Sequence, residues 1–259
     1  MRDMFESMLI DTHAHLDLHE FDQDRNQVIK TALEGGLSHI ITVGIDYNSS
    51  KKAIELAHQN NSIYASVGYH PHNAGPSSLK YIDQVTQLAG DPNVVAWGEI
   101  GLDFYRDYSL PSDQLDFFKL QLKLANDLDL PVIIHDREAH AQVYDILKKH
   151  GKGKGVIHCF SGDKKLALAF IELGYYISIP GVVTYKNAIL TKEVAASIPI
   201  ESMLLETDAP FLAPVPKRGK RNEPFFISYT AREVARLRNI DRAGLARQTT
   251  DNAKTLFDL

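Results

Sequence analysis

Short runs of apolar, often β-branched residues recur along this chain, separated by longer stretches with apolar residues at every third or fourth position. The runs at 8–13, 39–44, 63–68, 94–99, 131–135, 155–160, 175–180 and 203–207 predict strands. Their near-continuous apolar character is that of strands covered on both faces, as in a parallel sheet. Helices are predicted between them over 22–36, 112–128, 138–150, 164–173 and 186–198. The first of these carries Val28, Ile29, Ala32 and Leu33 at helical spacing and stops at Gly35-Gly36. Two closing helices are expected at 229–237 and 242–257. Eight β/α units in about 250 residues predict an α/β fold of the (β/α)8, TIM-barrel type. An open doubly wound sheet would alternate in the same way, but no Gly-x-Gly-x-x-Gly turn follows the first strand. No Pro/Gly/Ser-rich linker interrupts the pattern. A single domain over 1–259 is expected, with residues 1–7 as a short extension before the barrel.

Composition narrows the class. Hydrophobic residues make up 44% and charged residues 24% of the chain, which excludes disordered and collagen-like proteins. No segment approaches the roughly 20 apolar residues that cross a bilayer, and the first eight residues carry Asp3 and Glu6 rather than a signal-like apolar run. Cys159, the single cysteine, has no partner for an intramolecular disulfide, so a reducing, cytoplasmic location is expected. A barrel closes its own sheet, so a monomer is the default, with no obligate protein partner and no membrane. The net charge of −5 argues against a broadly basic nucleic-acid surface. The unusual count is histidine, at 11.

Where those histidines fall matters. In a β/α barrel the C-terminal ends of the strands carry the active site, and alternate residues share a face. The predicted strands end in Asp11-Thr12-His13-Ala14-His15, Gly68-Tyr69-His70-Pro71, Gly98-Glu99-Ile100-Gly101-Leu102-Asp103, His135-Asp136-Arg137, His158-Cys159-Phe160 and Glu206-Thr207-Asp208. His13, His15, Glu99, His135, His158 and Asp208 therefore converge on one rim. Buried imidazoles and carboxylates together stay unsatisfied unless cations pair them. Four imidazoles and two carboxylates suit two divalent ions, Zn²⁺ or Mn²⁺ on ligand type and Mg²⁺ less naturally. Two such ions also let an acidic protein handle a polyanion.

These motifs, in this order, resemble the TatD family of metal-dependent deoxyribonucleases, which belong to the amidohydrolase-like TIM barrels. The resemblance runs from about Met8 to the tail Asn252-Ala253-Lys254-Thr255-Leu256-Phe257, through Leu205-Glu206-Thr207-Asp208-Ala209-Pro210 and Arg218-Gly219-Lys220-Arg221-Asn222-Glu223-Pro224. It implies that His13, His15 and Asp208 hold a first metal, His135 and His158 a second, and that Glu99 bridges both. A carbamylated lysine bridges in many relatives of the wider superfamily; no lysine lies in 94–103. It further implies hydrolysis of DNA phosphodiester bonds, as a 3′→5′ exodeoxyribonuclease, with Asp208 accepting the proton of the attacking water.

Substrate contacts are expected nearby. Arg137 lies two residues past His135 and can hold a phosphate bidentately. Lys220 and Arg221, in the run Lys217-Arg218-Gly219-Lys220-Arg221, follow the last strand and are expected on the DNA backbone. His70 is a candidate proton donor or phosphate contact, and Tyr105, Tyr69 and Phe160 are candidates for base stacking. The alternative is another bond cleaved on the same scaffold, as in a D-aminoacyl-tRNA deacylase or an amide or ester hydrolase. A non-catalytic scaffold would require lost ligands, and none is missing.

Overall fold

The computed structural model describes residues 8–106 and 108–259; the N-terminal extension expected at 1–7 lies outside them. Eight strands form one sheet in chain order: β1 (Leu9–Ala14), β2 (Leu37–Val43), β3 (Ile63–Val67), β4 (Val94–Asp103), β5 (Val132–Arg137), β6 (Gly155–Ile157), β7 (Tyr175–Ile179) and β8 (Met203–Leu205). All seven neighbouring pairs are parallel. Helices alternate with them: α1 (Arg25–Glu34), α2 (Tyr47–Gln59), α3 (Pro76–Leu79), α4 (Ile82–Leu88), α5 (Pro111–Asp127), α6 (His140–His150), α7 (Lys164–Glu172) and α8 (Ile189–Ser197). The chain ends in α9 (Ile227–Arg238) and α10 (Arg242–Phe257). This is the expected TIM-type barrel.

The sheet becomes a ring where β8 meets β1. A parallel bridge joins Ala14 to Ala209, Asp208 N donates to His13 O at 2.8 Å, and His15 N donates to Ala209 O at 2.7 Å. Side chains stitch the same seam. The buried Asp11 carboxylate accepts from Thr207 N at 2.9 Å and Thr207 Oγ1 at 2.5 Å, and Thr12 Oγ1 donates to Leu205 O at 3.0 Å. Burial pushes the Asp11 carboxyl up to about 8, against the lowering effect of the Thr207 and His13 donors.

Two apolar layers support the ring. The larger packs the outer strand faces against the helices, with Trp97, Phe118, Phe170 and Tyr175 among its fully buried side chains. The smaller joins Ile133, Val156 and Leu204 to Leu256 and Phe257 of α10. Ile133, Val156 and Leu204 each lie two residues before a polar residue of the rim (His135, His158 and Glu206), so alternation makes them the floor beneath it.

The structure departs from the sequence expectation in a few places. β6 and β8 end at Ile157 and Leu205, three and two residues earlier than predicted. The backbone leaves the extended region soon after, with positive φ at Cys159 (45°) and Asp208 (57°). β4 runs four residues beyond Glu99 because Ile100, Gly101, Leu102 and Asp103 stay paired with β5. Helices α2, α3 and α4 were not anticipated. α2 starts at a reciprocal cap, in which Asp46 accepts from Ser49 N and Ser49 Oγ accepts from Asp46 N, both at 2.8 Å.

Candidate active site

The strand ends deliver the six expected ligands to one place. Glu99, only 2% exposed, is at the centre. Its Oε2 faces His13 Nε2 at 3.4 Å and His15 Nε2 at 3.8 Å. Its Oε1 faces His135 Nδ1 and His158 Nε2, each at 2.7 Å. Asp208 Oδ1 completes the first group, 3.7 Å from His13 Nε2 and 3.5 Å from His15 Nε2. Glycines permit this approach. A Cβ on Gly98 would lie 2.7 Å from Cβ of Ile133, and one on Gly101 (φ 143°) would overlap the His135 carbonyl.

Donor chemistry and spacing both fit a divalent cation. Ligand atoms sharing one tetrahedral ion, at bonds of about 2.0–2.2 Å, stand about 3.3–3.6 Å apart. Between the first group's atoms the separations are 3.2 Å for the two imidazoles and 3.4 to 3.8 Å for imidazole to carboxylate. Those five separations lie near the edges of a coordination tetrahedron, with His13, His15 and Glu99 as the tighter trio. The second is drawn in to hydrogen-bond length, 2.7 Å from each imidazole to Glu99 Oε1, with 3.3 Å between His135 and His158. It would have to open by about 0.6 Å to hold the same ion.

The far nitrogens of the rings complete the test. A ligating histidine holds its other N–H on an acceptor, which fixes the tautomer and turns the lone pair to the metal. His15 Nδ1 meets Val43 O at 3.0 Å, and His135 Nε2 meets Asp103 Oδ2 at 3.1 Å. His158 Nδ1 faces Glu206 Oε1 at 3.6 Å, beyond hydrogen-bond length, and has no hydrogen bond among the described residues. His13 Nδ1 is buried without a hydrogen bond among the described residues, and a Glu206 oxygen lies within 4.8 Å of nitrogens of both His13 and His158. Glu206 is fully buried; Oε1 accepts from Cys159 N at 2.6 Å, whereas Oε2 has no partner among the described residues. Glu206 and Asp103 were quoted in the motifs but given no role there. The available signal was their spacing: Glu206 is two residues before Asp208, and Asp103 four after Glu99, each an even step along the chain.

Protonation supports the same reading. Burial alone would raise Glu99, but the imidazoles of His158, His70 and His13 hold it well below the ordinary carboxylate range. Burial opposes charge on His15 as well, yet Asp208 and Glu99 raise it to about 9. His158 is likewise lifted against burial by Glu99 and Glu206. Protons on imidazoles therefore balance the carboxylates here, and a cation displaces them on binding.

The cluster opens into a cavity of about 710 Å³ lined by His15, His70, Glu99, His135, His158 and Asp208, with Arg106, Arg137, Tyr108 and Phe211 around them. Arg137 stacks its guanidinium on Tyr105, 4.2 Å from the ring centre, and Arg106 approaches the same ring at 5.2 Å. His70 Nδ1 accepts from His72 N at 3.1 Å, so its proton sits on Nε2, which lies 3.5 Å from Glu99 Oε1. Burial lowers His70 to about 4, leaving it a neutral donor. Tyr69 and Phe160, at 4% and 2% exposed, are buried and line no part of the metal cavity. Burial pushes the Cys159 thiol well up, so it is no nucleophile.

The basic loop is arranged differently from the sequence expectation. Arg221 grips Asp24 bidentately at 2.8 and 2.7 Å, reaches Glu223 at 3.2 Å and Glu20 O at 2.7 Å, and covers the Phe21 ring. Its donors are taken by the protein, and neither Arg221 nor Lys220 lines the cavity. The assignment of Arg221 to substrate is corrected accordingly: it ties the loop after β8 to the start of α1. Lys220 is exposed beyond the rim.

Barrel and rim together define a metal-dependent hydrolase. Residues 10–258 match the family described as TatD-related DNase. The chain is 40% identical to the uncharacterized metal-dependent hydrolase YabD of Bacillus subtilis over 252 residues, 96% of this chain and 99% of that one. It is 36% identical to the 3′-5′ ssDNA/RNA exonuclease TatD of Escherichia coli K12 over 258 residues, covering 97% and 99%. The crystal structure of YjjV, a TatD homologue from Escherichia coli K12, superposes with a TM-score of 0.92 at 34% identity, covering 98% of this chain and 99% of that one. The chain belongs to the TatD family. No helix among the described residues is long and apolar enough to cross a membrane.

Proposed function

We propose that the protein is a two-metal phosphodiesterase that removes nucleotides from the 3′ end of single-stranded DNA or RNA. One observation carries this reading: the two oxygens of Glu99 face two separate ligand groups. His13, His15, Glu99 and Asp208 would hold one ion, and His135, His158 and Glu99 the other. Such a pair lowers the pKa of water and neutralises the charge gathering on an in-line phosphoryl displacement.

The chain's own residues do the rest. Asp208 borders the cavity and its side chain is 12% exposed, which lets it take the proton of the attacking water. His70 Nε2–H points toward the second group and donates to a phosphate oxygen. Arg137 and Arg106, steadied by Tyr105, hold the phosphate flanking the scissile bond. A bowl of about 710 Å³ fits a terminal nucleotide better than a duplex. The 3′ polarity follows the relative from Escherichia coli K12.

The test is metal titration by calorimetry followed by end-labelled digestion with Mn²⁺. Two sequential binding steps and stepwise loss of 3′ nucleotides are expected, with the four-ligand group filling first. A single site, or release of an amino acid from misacylated tRNA with no nucleotide release, would overturn the proposal.

A further inference from the structure

Beside the metal cavity lies a second groove of about 570 Å³, running between the segments that follow β2, β3 and β4. The two share His72, Asn73 and Tyr108, so the groove continues the cavity floor without a break. Its walls are tyrosines. Tyr108 is 66% exposed and stands edge-on against His72, with 4.8 Å between ring centres. Tyr47 and Tyr81 lie parallel within 16°, their centres 5.9 Å apart, and Tyr81 is 45% exposed. His72, at the threshold, is pinned by Asp103 at 2.7 Å.

We propose that this groove binds the undegraded part of a single strand, its bases stacked on Tyr108 and Tyr81, while the terminal nucleotide occupies the metal cavity. The inference rests on the phosphodiesterase reading and extends it to the residues that hold the strand. Charge orients the strand. The one carboxylate in the groove, Asp46, caps α2 and accepts from Ser49 N at 2.8 Å. A floor with a carboxylate and no cation repels phosphate, so bases face inward. The sugar–phosphate chain lies outward, where Lys51 stands 5.9 Å from the centre of the Tyr47 ring. Stacking on aromatic faces is tolerant of sequence, because every base has a π-face. Asn48 and Ser77, also lining the groove, can meet base edges with either donor or acceptor.

The experiment compares Tyr81→Ala and Tyr81→Phe with the unaltered full chain, with a thymidine dinucleotide and a thymidine dodecamer as substrates under Mn²⁺. Tyr81 is exposed and outside the metal cavity, and thermal melting is the check that both variants fold. Loss of one stacking platform in Tyr81→Ala should raise the ratio of dodecamer KM to dinucleotide KM about tenfold, and Tyr81→Phe should restore it. Binding of a fluorescent dodecamer in EDTA should weaken to the same degree in Tyr81→Ala. An unchanged ratio and unchanged binding would overturn the groove assignment. If the unaltered chain cleaves neither substrate, the phosphodiesterase reading fails. The groove is then decided by binding in EDTA alone, where equal affinity of Tyr81→Ala and the unaltered chain overturns it.

Discussion

The rim of the barrel and the loop after β8 both carry the residue types expected of a nuclease, and they behave differently. At the rim, His13, Glu99 and His135 are aimed by paired strands and His15, His158 and Asp208 by the backbone just past strand ends, and the six expected ligands gather in one cluster. In the loop, Lys217, Arg218, Lys220 and Arg221 have no ladder to aim them. Arg221 turns back onto Asp24, Arg218 covers Tyr185, and Lys217 lies over Phe226. A cation on a loop takes the best local partner, and a free carboxylate of the same protein is a better partner than an absent substrate. Strand position thus reports chemistry far more directly than residue type does.

That contrast can be broken or sharpened by substitution. The largest effect is expected from Glu99→Ala, which removes the carboxylate whose two oxygens serve the two ligand groups. Activity should fall well beyond the roughly 10–100-fold typical of outer-shell partners, with metal content dropping in parallel by elemental analysis. Full metal occupancy with near-normal rate would place the bridge elsewhere. Next comes Glu206→Ala, which touches no substrate. It should weaken metal binding about 10–100-fold by calorimetry, through slack in His158 and His13; unchanged affinity would reduce Glu206 to a core residue.

Smaller effects belong to the loop. Arg221→Ala should cost about 1 kcal/mol, because Asp24 is partly exposed, and lower the melting temperature by about 2–4 °C with metal affinity intact. A stable Arg221→Ala with a flattened salt dependence would restore the substrate role that the geometry denies it. The smallest change is expected from Lys220→Ala. If Lys220 meets one phosphate, the slope of log KM against log salt falls by about 0.7 and little else moves.

The same contrast explains how much of the molecule was legible beforehand. The barrel was readable because near-continuous apolar runs such as those before His135 and His158 have few alternatives to a buried parallel strand. The ligand set was readable because His13 and His15 sit two apart at the end of one strand. The places of Asp103 and Glu206 are not legible in the sequence because only three dimensions show that Asp103 meets His135 Nε2 and that Glu206 faces His158. Helix α2 has a start signal in Asp46 and Ser49 and a short apolar stripe at Ala53, Ile54 and Ala57, but polar residues fill its first two turns and dilute the pattern. Tyr69 and Phe160 were offered as stacking faces; alternation along a strand does not say which of two buried sides a residue takes.

The β8–β1 seam has a consequence for how the enzyme comes into being. Asp11 reaches Thr207 across 196 residues of chain, and Asp208 meets His13 and His15 only once that seam has closed. On a ribosome, the first strand therefore waits for almost the whole polypeptide before its histidines acquire their carboxylate. A copy lacking β8 and the residues after it has no Asp208 to set beside His13 and His15. Assembly of the cluster is thereby the last geometric event of the fold, set by the topology that makes the ring.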